Sequence, residues 1–444
     1  MRQGFIFDQN KCVGCFACVV ACQIENANEQ HQPWREITTF NSFQHPQLPV
    51  FNFSLACNHC EDAPCEKYCP ALAYTKDSDL NIIIHHANRC MGCKYCTWTC
   101  PYDAPKFIAS EGVVEKCTLC TDRLNIGLKP ACANLCPTGA LDYDEIEDCD
   151  FSSVIGFTNR GAEPGIQIIP PRKKNIYPEN NQKLSPEEET LYKKLIKQSE
   201  SKVNLQIEWT LVVFTLLTAL LTSLIFASVY DGFSISPWIF LSLGMIGFYL
   251  SSIHLGKKMR AWRSILNIYQ SWLSREIFFF GLFLFLGTVY FLNPASKSVG
   301  YTSAIVGFLT LLSIDKVYKV AFKTTPFNIN SASILLSGLL LTTIWTGVLS
   351  LFLMLVIIKL CLYLYRKHFF YTRNKKYYLG VSLTRIVFGL LAPVIFSFTD
   401  FENYKIVIML FVFIGELIDR LEYYYDLDII TPSKQIEKIL LNSE

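Results

Sequence analysis

Histidine is scarce in this chain of 444 residues: there are seven, and only His254 and His368 lie beyond residue 205. Stacked b-haems need more axial ligands than that, so no haem is expected. Cysteine almost disappears after residue 136, where Cys149 and Cys361 alone remain; both read as free thiols without a role. Residues 1–11 hold no charged stretch followed by an apolar run, and no twin-arginine pair, so no export address is expected there. Without one, a disulfide framework is disfavoured. Nor is one sign of charge in excess: 40 basic residues face 38 acidic ones, a net of +2. No nucleic-acid partner is expected.

That balance hides two unlike halves. Residues 1–150 carry 11 basic and 19 acidic residues, while the remainder carries 29 and 19. From about Leu205 the chain is dominated by apolar runs near the roughly 20 residues that cross a bilayer. They cover 207–230, 238–256, 277–293, 301–321, 331–365, 379–398 and 406–425. The reading is an acidic domain over 1–150, a strap and amphipathic linker helix over 151–204, a multi-pass membrane anchor over 205–428 and a C-terminal tail over 429–444. In the strap, Ser185 can cap a helix, Pro186 suits its first turn and Glu188 completes a capping box.

The run 331–365 is too long for one ordinary span, and Gly347 and Ser350 can mark a hairpin inside it. Two helices there bring the total to about eight. The basic loops 257–276, 315–323 and 366–376 then fall on one side, that of the N-terminal domain. The positive-inside rule turns that domain toward the cytoplasm. Basic loops beside an acidic domain also suit docking, so the pattern has a second cause.

The other sixteen cysteines form four tetrads. They are Cys12, Cys15, Cys18, Cys22; Cys57, Cys60, Cys65, Cys69; Cys90, Cys93, Cys96, Cys100; and Cys117, Cys120, Cys132, Cys136. Three end in Cys-Pro, at Pro70, Pro101 and Pro137. The spacing C-x2-C-x2-C-x3-C belongs to bacterial ferredoxins: three thiolates wrap one cubane and the fourth reaches a neighbouring one. Zinc sites built on paired C-x2-C motifs would strand the fourth cysteines. Four [4Fe-4S] clusters use all sixteen thiolates. The fold expected is an α+β ferredoxin-like four-cluster domain fused to an all-α polytopic membrane bundle. Assembly of such clusters needs reduced thiols, hence the cytoplasm.

The C-x2-C-x4-C-x3-C of the second tetrad and the C-x2-C-x11-C-x3-C of the fourth resemble the iron–sulfur subunit of dimethyl sulfoxide reductase-type molybdoenzymes. The first tetrad departs from that pattern, with Gln23 where the others have proline. The membrane half resembles the anchor subunit of the same enzymes. The stretches that carry the likeness are Ile253-His254-Leu255-Gly256, Met259-Arg260-Ala261-Trp262, Leu273-Ser274-Arg275-Glu276-Ile277, Val317-Tyr318 leading to Thr325-Pro326, Thr384-Arg385-Ile386-Val387 and Gly415-Glu416-Leu417-Ile418-Asp419-Arg420. The chain thus looks like a fusion of two subunits that the family normally keeps apart. The resemblance implies tetrad pairing of first with fourth and second with third. The ligand sets become Cys12/Cys15/Cys18/Cys136, Cys22/Cys117/Cys120/Cys132, Cys57/Cys60/Cys65/Cys100 and Cys69/Cys90/Cys93/Cys96. Some relatives have Trp where this chain has Cys93, so an ordinary cubane is expected there.

The resemblance further implies quinol chemistry in the membrane half. A quinol loses two electrons and two protons, and its site needs an acceptor near each hydroxyl. An unperturbed histidine titrates near neutrality, so His254 suits that task; Glu276 opens the next helix and can pass the proton out. Charged groups within spans are costly and default to a functional reading. Arg385 and Glu416 are therefore candidates as well, together with Arg260, Lys316, Asp419 and Arg420. The plainer reading of Glu416 and Arg420, four apart on one helix, is mutual neutralisation, and Tyr318 reads as an interface anchor.

The expectation is a non-catalytic electron-transfer and anchor subunit in a bacterial cytoplasmic membrane. It oxidises quinol from the membrane pool, menaquinol by expectation, and feeds a separate molybdopterin-containing catalytic subunit. Co-export with a twin-arginine-tagged partner would move the cluster domain to the periplasm. Two alternatives share these residues: a subunit feeding a polysulfide, tetrathionate or multihaem nitrite reductase, and a membrane-tethered redox sensor. The intramembrane histidine, glutamate and arginine set argues against a sensor, which needs one span and no titratable groups.

Overall fold

The computed structural model describes residues 2–26, 33–41, 50–77, 79–147, 150–172, 203, 205–319, 330–371, 378–427, 429 and 431–441. The linker helix expected at 185–196 and residue Cys149 lie outside them. The chain divides into two units, Met1–Glu200 with Ile430–Glu444, and Ser201–Ile429.

In the first unit, β1 (Arg2–Asp8) is the centre of a three-stranded sheet. It pairs antiparallel with β8 (Leu141–Ile146) and parallel with β9 (Ile166–Ile169). Three hairpins surround it: β2 (Glu36–Phe40) with β3 (Phe51–Leu55), β4 (Tyr74–Asp77) with β5 (Ile82–His85), and β6 (Lys106–Ile108) with β7 (Val113–Glu115). Alternation along β1 buries Phe5 and Phe7. Phe5 meets Tyr143 edge-on at 5.8 Å and Phe7 meets Phe53 at 6.2 Å. Short helices carry later cysteines of the tetrads: α1 (Ala17–Glu25) holds Cys18 and Cys22, α2 (Pro64–Lys67) Cys65, α3 (Tyr95–Thr99) Cys96 and α5 (Ala131–Asn134) Cys132, while α4 (Thr121–Asn125) starts directly after Cys120. The unit also takes in residues past 150. Phe157 stacks on Tyr102 at 4.9 Å, and the Tyr102 hydroxyl donates to the Thr158 and Asn159 carbonyls. The C-terminal helix belongs to this unit too: a Cβ on Gly156 would collide with Ile436.

The second unit is helical: α6 (Leu205–Asp231), α7 (Pro237–Ser252), α8 (Trp272–Leu292), α9 (Lys297–Lys319), α10 (Ile334–Thr346), α11 (Leu349–Tyr371), α12 (Leu379–Ile386), a π turn over Val387–Leu391, α13 (Ala392–Asp400) and α14 (Lys405–Asp426). The terminal α15 (Pro432–Leu441) lies in the first unit. The run 331–365 does divide at Gly347, whose φ of 67° caps α10. The expected count of about eight spans is not confirmed, however. Among the described residues five helices are long and apolar enough to cross a bilayer: Glu208–Asp231, Trp272–Leu292, Lys297–Lys319, Leu349–Phe369 and Leu379–Asp400. The thirteen residues of α10 rise only about 20 Å, short of a hydrocarbon core of about 30 Å. Four ionisable residues, Glu416, Asp419, Arg420 and Glu422, sit close together on α14. Small residues let the helices approach, as where Gly307 faces Thr222 and Gly287 faces Phe240. Asp315 of α9 reaches the start of α10 and accepts the Ile334 and Leu335 N–H groups at 2.8 and 3.1 Å, satisfying donors the helix leaves unpaired.

Candidate functional site

All four tetrads make the same turn. The residue before the second cysteine is left-handed in each: Gly14 at φ 68°, His59 at 42°, Gly92 at 70° and Leu119 at 61°. This curls the loop so that backbone N–H groups point at sulfur. Gly92 donates to the Cys90 thiol at 3.4 Å, and Leu119 to Cys117 at 3.3 Å. Two of the four turns tolerate a side chain in that conformation, at a cost of about 1–2 kcal/mol each. Gly14 has no such latitude, because a Cβ there would meet Asn52 at 2.9 Å. Asn52 cannot give way, since it donates to the Cys12 carbonyl and accepts from Thr39. Gly14→Ala is expected to cost about 1–2 kcal/mol from the backbone alone. Iron analysis of the variant should show the site nearest Cys12 depleted; a full iron complement would show that the loop yields.

Tertiary structure brings cysteines of different tetrads together. Cys12, Cys15, Cys18 and Cys136 line one pocket. Cys57, Cys60, Cys65 and Cys100 line another. Burial pushes the Cys22 thiol up to about 11, with Cys132 and Cys120 pushing the same way. Burial also raises Cys117, beside Cys22 and Cys132. Cys93 and Cys96 are raised by burial too, and their neighbours are Cys69 and Cys90. These electrostatic neighbours accord with two further groups, Cys22/Cys117/Cys120/Cys132 and Cys69/Cys90/Cys93/Cys96. In α1, Cys18 and Cys22 are one helical turn apart, about 6 Å, and so reach different groups. The groups adjoin in a row: Cys18 neighbours Cys132, Cys117 neighbours Cys57, and Cys65 neighbours Cys96.

Crowded buried thiols resist charge unless a cation shares the space, and iron would supply it while holding them as thiolates. An orphaned guanidinium tests that fit. Arg35 is 1% exposed, and among the described residues no carboxylate pairs with it. Its electrostatic neighbours are Cys132, Cys18, Cys117 and Cys22. An unpaired buried cation is costly; anionic iron–thiolate clusters would answer it. The described cysteines form no disulfide, and the donor set fits [4Fe-4S] ligation. Cys361 is exposed on α11, in the second unit.

The membrane unit arranges the remaining candidates. His254 is half-buried in the turn after α7, ahead of a 3₁₀ segment over Lys258–Ile265. Arg275 pins this connection by donating to the Ile268 and Tyr269 carbonyls at 2.8 and 2.6 Å. Glu276 is 7% exposed in the first turns of α8, and the charge of Arg420 reaches its carboxyl. Arg420 does not neutralise Glu416. It donates to the Ala332 carbonyl at 3.0 Å and lies over the rings of Tyr318, Tyr423 and Tyr424 at 4.6, 4.9 and 5.4 Å. Tyr318 is buried and bonds the Tyr424 hydroxyl, so it is no interface anchor.

Glu416 instead joins a separate buried network. Arg385 donates to it at 2.8 Å, and Lys359 and Ser337 also bond it. Asp419 pairs with Arg366 at 2.8 Å and with Arg385 at 3.5 Å, and accepts from Ser331 at 3.1 Å. Further along α14, Glu422 accepts from Tyr363 at 2.7 Å and pairs with Lys367 at 2.9 Å. Sequence reasoning singled out Arg385 and Glu416 but missed Lys359, Arg366 and Tyr363. A lysine in the middle of an apolar run was the available signal. The π turn that follows Arg385 is a frequent mark of functional sites. There the helices touch backbone to backbone: a Cβ on Gly389 would meet the Gly415 Cα at 2.5 Å.

Comparison with known proteins agrees with this division. Residues 48–146 match the family described as a 4Fe-4S dicluster domain, and residues 203–372 match the DMSO reductase anchor subunit (DmsC) family. One polypeptide of the anaerobic dimethyl sulfoxide reductase of Haemophilus influenzae is 34% identical over 179 residues, 38% of this chain and 83% of that protein. A subunit of the sulfite dehydrogenase of Allochromatium vinosum is 33% identical over 186 residues, 37% of this chain and 76% of its own length. A subunit of the tetrathionate reductase of Salmonella typhimurium is 37% identical over 150 residues, covering 33% of this chain and 59% of that protein. The chain is an integral membrane protein with an iron–sulfur electron-transfer part and an anchor part. It belongs to the dimethyl sulfoxide reductase family of electron-transfer subunits, with the iron–sulfur subunit and the membrane anchor joined in one polypeptide.

Proposed function

We propose that this chain oxidises membrane quinol and delivers the electrons through four [4Fe-4S] clusters to a separate molybdopterin-containing catalytic subunit. The ligand sets are the four groups of cysteines named above, and bound clusters would supply one-electron steps between a two-electron donor and a two-electron acceptor. The quinol is menaquinol, the membrane is the bacterial cytoplasmic membrane, and the cluster domain faces the cytoplasm. No haem takes part.

The observation that carries the quinol reading is Glu276, a carboxyl held inside an apolar bundle. A charge in such a place is expensive and marks function by default. Among the described residues it makes no hydrogen bond; only the field of Arg420 supports it. A quinol hydroxyl supplies the missing donor. His254, at the end of α7, accepts from the other hydroxyl, and Glu276 carries a proton away. The pair of Arg385 and Glu416 lies deeper in the network along α14, where it serves the second proton.

A second reading keeps these roles and exchanges the catalytic subunit for one acting on tetrathionate, which the likeness to a tetrathionate reductase subunit favours. Anaerobic purification of the intact complex tests the proposal. Sixteen irons and sixteen acid-labile sulfides per chain are expected, with a molybdopterin-containing partner and clusters reducible by menaquinol. Eight irons, stoichiometric zinc or clusters that quinol cannot reduce would sink it.

A further inference from the structure

Arg35 precedes β2 and is enclosed on every side. Its Nη1 donates to the Ser54 hydroxyl at 3.1 Å, and its guanidinium lies over the Phe5 ring at 4.5 Å. Among the described residues, Nε and Nη2 find no hydrogen-bond partner. Ser54 lies on the wall of the cavity lined by Cys12, Cys15, Cys18 and Cys136, with its hydroxyl 3.6 Å from the Cys18 sulfur. Cys22, a member of the adjoining group, is among the thiols whose electrostatic field reaches Arg35. The side chain therefore stands between two groups of four cysteines. A guanidinium keeps its proton under all ordinary conditions, so this is a fixed charge. Among the described residues, only sulfur is placed to balance it.

We propose that Arg35 sets the reduction potentials of two adjoining clusters at once, those of Cys12/Cys15/Cys18/Cys136 and Cys22/Cys117/Cys120/Cys132, by favouring the electron-rich form of each. This rests on the reading that these groups hold [4Fe-4S] clusters. Reduction adds one electron to a site already bounded by four thiolates. A buried positive charge stabilises the more negative state, and stabilises it strongly because little water screens the interaction. Cluster potential depends on net charge, hydrogen bonds to sulfur and exposure, and Arg35 acts on the first. The ionisable groups it faces are thiols, and its own charge is uncancelled. Arg35 is thus a positioning residue for electrons. By serving two clusters it raises both potentials together. Lys116 is the corresponding buried cation one step along, donating to the Ile83 and Cys117 carbonyls, but its own hydrogen bonds are made to backbone.

The test is redox titration of the anaerobically purified complex, followed by electron paramagnetic resonance, in Arg35→Gln and Arg35→Lys. Iron and sulfide are measured in the same samples. Arg35→Gln should retain sixteen irons and lower the midpoint potentials of two clusters, leaving the other two unmoved. Arg35→Lys keeps the charge and should stay close to the unaltered protein. Equal potentials in the two variants, or a uniform shift of all four clusters, would overturn the proposal. If the neutral variant loses iron, unaltered protein grown on ¹⁵N-arginine decides the matter. Its two reduced clusters should show hyperfine coupling to guanidinium nitrogen, and absence of coupling at both would refute it. Too little iron in the unaltered protein would instead overturn the cluster reading and leave Arg35 without a role.

Discussion

Replacing His254 by alanine is expected to abolish turnover with a quinol donor while sparing turnover with an artificial dye that reduces the clusters directly. Glu276→Gln should do the same. Loss of a general acid or base typically costs 10²–10⁴-fold, so quinol activity should fall by at least about 100-fold in either variant. The split between donors is the informative part. His254 is half-buried in a turn, not packed in the core, so its removal should leave assembly intact. Glu276 is buried, and glutamine keeps its shape while removing its capacity to take a proton. Equal loss of quinol and dye activity would indicate misassembly. Full retention of quinol activity in both variants would remove this pair from the mechanism.

Removing Arg385 should act on stability as much as on turnover. Its guanidinium is fully buried and serves two carboxylates, Glu416 at 2.8 Å and Asp419 at 3.5 Å. Arg385→Met leaves part of that negative charge unmatched in an apolar bundle, and breaking a buried pair from one side costs about 3–5 kcal/mol. Lys359 still contacts Glu416, and Arg366 still contacts Asp419, which sets the lower end of that range as the expectation. Adding Glu416→Gln should not recover the loss, because Lys359, buried and paired with Glu416, then loses its carboxylate. Thermal denaturation of the detergent-solubilised complex would measure this. If the single variant melts like the unaltered protein, the network is not what holds α11, α12 and α14 together. If it melts normally and yet loses quinol turnover alone, Arg385 belongs to the quinol pocket.

The cysteines proposed as cluster ligands stood out in the sequence because their spacing is local. Three cysteines that wrap one cluster must lie within a short loop, and the x2 spacing records the turn that Gly14 and Gly92 make. The left-handed turns at His59 and Leu119 were not legible, since neither residue advertises positive φ. The hairpin at Gly347 was visible as a glycine in an apolar run. The number of spans was not, because hydropathy registers the apolar residues of α7 and α10 but not how much of the bilayer a short helix crosses. The strand β9 was hidden in a proline-rich stretch that reads as a strap, and only its pairing with β1 makes it a strand.

Charge partners divide the same way. That Glu276, Arg385, Glu416, Asp419 and Arg420 are candidates follows from their place in apolar runs, because ionised groups there need a reason. Which of them meet is a matter of helix packing. Glu416 passes over Arg420, four residues away, and takes Arg385 and Lys359, which lie 31 and 57 residues away. A helix fixes only neighbours at three and four residues, and Arg420 is turned instead toward the tyrosines of α9 and α14. In the same way the sequence by itself determined that sixteen thiols and a run of apolar helices share one chain, for these are properties of spacing and hydropathy. Tertiary structure alone decided that Arg35 would be buried between two groups of cysteines, with no carboxylate partner among the described residues. Burial and counter-charge depend on which distant segments pack around a residue, and no local pattern encodes that.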